Sequence, residues 1–182
     1  MTQVVRLTLV AHAMTDALAA ARFPADEPLN DMGRRQAEAT AAHFRCGVSG
    51  FTAPEQRARQ TADLLGLDAT VDPRLADLNC GPWQGKRLQD VPRGDLMVWL
   101  TDPARAPHGG ESITELIQRV DRWLKSLTEN VVATVAVTHP AVIRAAILLA
   151  LDAPAKSFWR IDIAPVSRTD LHYRGGCWTL RR

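Results

Sequence analysis

Short apolar runs alternate with longer amphipathic runs along this chain, and that alternation is what most restricts its fold. Parallel strands buried on both faces read as continuous apolar segments, and each needs a helical crossover to reach the next. Val4 to Val10 reads as such a strand, and "VVATVAV", Val131 to Val137, is the clearest central strand. Between and after them lie "PLNDMGRRQAEATAAHF", with Asn30 or Asp31 placed to cap a helix ending near Cys46 and Gly47, and the short strand "GVSGFTA". "PEQRARQTADLLG" reads as a helix with Pro54 in its first turn and Gly66 closing it. Ser112 with Glu115 forms a capping box ahead of a helix to about Glu129, on which Ile113, Leu116, Ile117, Val120 and Leu124 recur at helical spacing. "AVIRAAILLAL" is apolar on nearly all sides and predicts a buried helix. Edge strands are expected around Phe158 to Ile163 and Arg168 to Tyr173, with a last strand over Cys177 to Leu180. The Pro-, Gly- and Asp-rich stretch from Val71 to Gly110 predicts loops and one or two small helices. The expected architecture is a three-layer α/β/α fold with a mostly parallel central sheet, as one domain over residues 1–182.

Bulk properties narrow the partners. A formal charge of +2, with arginines scattered and forming no basic run, argues against nucleic acid and against an anionic membrane surface. Any bound anion is expected to be small. Cys46, Cys80 and Cys177 are an odd number at wide spacing, fitting neither a disulfide framework nor a zinc motif, so a reducing compartment is expected. Met1 leads straight into strand-like sequence with no export-signal pattern, and no apolar run approaches bilayer length. Cytoplasmic localisation follows as the expectation; oligomeric state is left open.

Two histidines sit just past predicted strands: His12 after "RLTLVA" and His139 after "VVATVAVT". Ligands of open α/β sheets bind beyond the carboxyl ends of the strands, so neighbouring strands would deliver both imidazoles to one crevice. One ring can attack phosphorus while the other donates hydrogen bonds to the transferring oxygens. Arg57, at the start of a helix that follows a strand, suits an anion, though Arg57 and Arg59 equally suit a solvated helix face. Asp77 can protonate a leaving oxygen if burial raises its pKa; otherwise it serves a turn.

These residues lie in six collinear motifs that resemble the histidine phosphatase superfamily, the phosphoglycerate mutase-like family, and within it small bacterial phosphatases such as the α-ribazole phosphatases. The motifs are "LTLVAHAMT", "PLNDMGRRQA", "APEQRARQTA", "LADLNCGPWQG", "HGGESITEL" and "AVTHPAVIRAAI". The resemblance implies that His12 is the nucleophile that forms a phosphohistidine, that His139 and Arg57 bind the phosphoryl group, and that Asp77 stands in the proton donor's place. No cofactor is implied, and the partner is a small phosphorylated metabolite. The segment "THP" lacks the His-Asp pair of the acid phosphatase branch. A phosphatase is favoured over a mutase, which needs a covered site that a chain of 182 residues has little length to build.

The first motif departs from the family. Ala11 replaces the arginine that grips the phosphoryl oxygens and Ala13 the neighbouring glycine; Asn30, Ala53 and Gln84 are milder changes. A missing donor of this kind costs about 10²–10³ in rate. Arg22 is the candidate replacement, while Arg144 is expected to brace its helix. A phosphomonoester hydrolase with a weakened pocket is the reading; the alternatives are a pseudophosphatase that binds without turnover and a metal-dependent hydrolase using two histidines and an aspartate. Trp99, Arg93 and Arg105 are further candidates for substrate contact, although a core role for the tryptophan and solvation for the arginines are the simpler expectations.

Overall fold

The computed structural model describes residues 4–44, 49–129 and 133–181. Its strands are β1 (Val5–Ala11), β2 (Ser49–Thr52), β3 (Asp68–Val71), β4 (Thr134–Thr138), β5 (Arg168–Arg174) and β6 (Cys177–Arg181). They form one sheet in the order β3-β2-β4-β1-β5-β6. The first four are mutually parallel; β5 runs antiparallel to β1, and β6 to β5. The helices are α1 (Asp16–Ala19), α2 (Asp31–Ala41), α3 (Gln56–Leu64), α4 (Arg93–Thr101), α5 (Ile113–Leu127) and α6 (Pro140–Ala150). From β1 the chain moves past β4 to β2 and on to β3, then reverses to β4 and β5. Right-handed crossovers therefore place α2 and α3 on one face and α5 and α6 on the other, and these pairs pack together accordingly.

Local chemistry explains the boundaries. Asn30 is the N-cap of α2, its side chain accepting from the Gly33 amide, and Ser112 with Glu115 forms the expected capping box on α5. The α5 stripe buries Leu116, Val120, Trp123 and Leu124 at 0–1% exposure. Each such side chain contributes on the order of 1.5–3 kcal/mol by burial, and the Trp123 indole is satisfied by Asp72 at 3.1 Å. α6 is buried nearly all round because it lies against α5 and the sheet. Gly175 and Gly176 both take positive φ, as a two-residue hairpin turn between β5 and β6 requires.

Two expectations are corrected, for Phe158 to Ile163 and for the edge position of β5, and two segments gain detail. Asp68–Val71 is a strand, although its largely exposed side chains give no apolar run. The stretch from 71 to 110 holds three 3-10 turns and the regular helix α4. Phe158 to Ile163, expected as an edge strand, is none: Ala155–Arg160 is a 3-10 turn preceded by Pro154, and Arg144 Nε bonds the Ile161 carbonyl at 2.7 Å. Finally, β5 is covered on both sides by β1 and β6 and is no edge strand. The expected helix end at Cys46 and Gly47 lies outside the described residues, as do Val131 and Val132.

Candidate active site

The site forms where the crossovers diverge, between the carboxyl ends of β1 and β4. Ala11 pairs with Thr138, so His12 and His139 emerge side by side. The His12 amide still bonds the Thr138 carbonyl at 2.9 Å. The two rings stand 5.2 Å apart at 60°. His12 Nδ1 lies 2.8 Å from the Ala13 carbonyl, which can only accept. The proton is therefore on Nδ1, and Nε2 keeps a free lone pair. Burial, His139 and Arg57 together push the His12 pKa down to about 3, so the ring is neutral.

Interlocked backbone and side-chain bonds hold the His12 loop. The Ala13 amide donates to Thr61 Oγ1 at 3.0 Å, and that hydroxyl donates to the Arg57 carbonyl at 2.7 Å. The Met14 amide meets Gln36 Oε1 at 3.3 Å, and Gln60 Oε1 takes the Leu29 amide at 2.9 Å. Helix α2 approaches so closely that a Cβ on Gly33 would meet the Met14 carbonyl oxygen at 2.1 Å. The methyl of Ala13, by contrast, is accommodated in the core at 0% exposure.

Arg57, on the first turn of α3, is 1% exposed. Its Nη1 donates to the Ala25 carbonyl at 2.6 Å and its Nη2 to Asp77 Oδ2 at 2.7 Å, while Nε is buried without a partner. The solvated reading of Arg57 is thereby overturned; it holds for the exposed Arg59. Asp77 Oδ2 also lies 3.4 Å from His139 Nδ1. Burial would raise this carboxyl, but His139, Arg57 and His12 outweigh it and hold the pKa at about 2. The burial-raised acid envisaged from sequence is thus a carboxylate here.

Two positioning residues had no signal in the sequence. Glu55, the N-cap of α3, accepts the Asp77 amide through Oε1 at 2.9 Å and meets His139 Nε2 through Oε2 at 2.7 Å. Burial raises Glu55, but the bond with His139 wins and lowers it. Arg119 of α5 forks onto Glu111 at 2.8 and 2.7 Å, and reaches the carbonyls of Arg74 at 2.7 Å and Ala76 at 3.0 Å. It therefore fixes the loop that presents Asp77. Each partner is 8 to 45 residues away in sequence, so no local motif announces it.

Arg22 is exposed and lines the mouth of the cavity beside His12. Arg144 lines the same cavity and braces the 3-10 turn, with its guanidinium 5.6 Å from the Trp159 ring centroid. Arg93 and Arg105 are exposed and do not border it, whereas Trp99 is both core and cavity wall. Among the described residues, no three His, Cys, Asp or Glu side chains are arranged to hold a metal. None of their helices is long and apolar enough to cross a membrane.

The family model for the histidine phosphatase superfamily (branch 1) matches residues 7–182. The chain belongs to that superfamily. Among its relatives is a bifunctional protein of Mycobacterium tuberculosis, 30% identical over 93% of this chain and 51% of the relative. The chain thus spans about half the length of such curated relatives. A mycobacterial glucosyl-3-phosphoglycerate phosphatase solved with VO3 superposes with a TM-score of 0.82 at 28% identity, covering 97% of this chain and 96% of the other. A phosphoserine phosphatase of Entamoeba histolytica gives 0.88 at 19% identity over 98% and 95%, a likeness of fold. The mostly parallel α/β sheet is therefore that of the superfamily.

Proposed function

We propose that the chain is a phosphomonoester hydrolase working through a phosphohistidine on His12. The observation that supports this best is the neutral His12 ring with Nε2 free, facing His139 at 5.2 Å. Nε2 attacks phosphorus in line, the P–O bond to the organic group breaks, and the departing oxygen takes a proton. Arg57 and His139 donate to the transferring oxygens. Water then attacks the phosphohistidine and releases phosphate. An incoming phosphoryl dianion takes Arg57 and His139 away from Asp77 and repels its charge, so binding itself raises the Asp77 pKa and readies it as the acid. The superfamily relatives that bear phosphatase names support the reaction class.

A second reading rests on a separate observation. Position 11 lacks a guanidinium, and both Arg57 and His139 are already engaged by carboxylates. A pseudophosphatase with this pocket binds a phosphorylated ligand without turning it over. Turnover of p-nitrophenyl phosphate by the wild type, compared with His12→Ala and Ala11→Arg, separates the two. Hydrolysis that disappears in His12→Ala supports the enzyme; equal rates sink it. Activity arising only in Ala11→Arg favours the pseudophosphatase.

A further inference from the structure

His12 and Asp77 line a cavity of about 160 Å³ whose remaining walls are mostly apolar, with Thr15, Arg22, Glu27 and Arg144 as its other polar neighbours. Leu18, Phe23, Leu78, Trp99, Ala141 and Trp159 face it, drawn from α1, the segment after it, the Asp77 loop, α4, α6 and the 3-10 turn. The aromatic walls are locked together. Trp99 and Trp159 have ring centroids 4.4 Å apart, and Phe23 packs on Trp99 at 5.3 Å. Arg144 lies over Trp159 and is itself tied to the Ile161 carbonyl. The Cys80 thiol, also on the wall, is pushed up to about 12 by burial and is no anionic contact.

We propose that this cavity seats the organic group of the phosphomonoester and that the group is a single aromatic ring, as in phenyl or benzyl phosphates. The volume is the first argument: a cavity of about 150 Å³ lined by Leu, Ile and Phe holds benzene. The second is polarity. A hydroxyl or ammonium group on the apolar side, against Leu18, Phe23 and Trp159 rather than on Thr15, Arg22 or Glu27, loses its water without a partner, at about one to two powers of ten in affinity for each group. A ring loses nothing and stacks on fixed indole faces. The proposal rests on the phosphomonoesterase reading for the position of the phosphoryl group at His12.

Non-hydrolysable phosphonates test it without turnover. Phenylphosphonate, methylphosphonate and 2-aminoethylphosphonate are titrated into the whole protein by calorimetry and by tryptophan fluorescence. Phenylphosphonate is expected to bind at least about tenfold more tightly than the other two. Ala141→Leu, which fills the cavity, abolishes that ratio. Leu18→Gln, at a side chain already 43% exposed and so without risk to the fold, reduces it several-fold. Equal affinities, a ratio unchanged in both variants, or no binding of any phosphonate overturns the proposal. Loss of p-nitrophenyl phosphate turnover in His12→Ala would still uphold the hydrolase. A ring preference in a protein without turnover would leave the cavity assigned and the hydrolase refuted.

Discussion

Lowering the pH should destabilise this protein through its buried neutral histidines, His12 above all and His108 in the same direction. The His12 ring is 5% exposed and its pKa is about 3, against 6.5 for an unperturbed histidine. The folded state therefore resists the proton that the unfolded chain accepts. The stability this group confers is fully present above pH 6.5 and is lost progressively as pH falls toward 3. Integrated from about pH 7.5 to about pH 5.0, the loss is about 2 kcal/mol. Asp77 and Glu55 add little over that window, because lowered carboxyls withdraw their contribution only below their ordinary values, 3.8 and 4.5. For a chain of this size, about 2 kcal/mol shifts Tm by roughly 4–8 °C. The assay is urea unfolding at both pH values for the wild type and His12→Gln. The wild type should lose about 2 kcal/mol more than the variant. Equal losses would refute the picture of a buried neutral imidazole, and with it the free lone pair on Nε2.

Three further outcomes follow from the same geometry. Asp77→Asn should destabilise by about 3 kcal/mol, since Arg57 loses a buried charge partner, while vanadate binds roughly tenfold tighter; unfolding curves and calorimetry check both. In the wild type, vanadate or phosphate binding should take up a proton, seen as a heat that depends on the buffer's ionisation enthalpy and is absent in Asp77→Asn. Gly33→Ala should cost about 1–3 kcal/mol and lower turnover together, because the added methyl must displace the Met14 carbonyl and the His12 loop with it.

What the sequence made legible, and what it hid, divides along a physical line. β1, β4, α5 and α6 were readable because their signals are local: an apolar run, a capping box, a helical stripe. That β1 and β4 are neighbours was a condition the sequence could not supply; the pairing of Ala11 with Thr138 meets it and brings His12 and His139 together. β3 was missed because an exposed strand of four residues has no burial pattern to betray it. The Phe158 segment misled because its aromatic residues suit a strand equally well, whereas Pro154 before it and the Arg144 bond to the Ile161 carbonyl hold a 3-10 turn. Asp77 shows the same limit in charge. Burial and proximity pull its pKa in opposite directions, and only the 2.7 Å contact with Arg57 and the nearby His139 decide the outcome. Glu55 and Arg119 act through partners remote in sequence, so their roles exist only in the fold.

The central claim is that His12 takes the phosphoryl group. The most direct measurement is mass spectrometry of His12 peptides after rapid mixing with p-nitrophenyl phosphate and alkaline quench, which preserves a phosphohistidine. The account predicts a phosphoryl adduct on the His12 ring that disappears with His12→Asn along with turnover. Steady hydrolysis with no adduct on His12, and undiminished in His12→Asn, would contradict it.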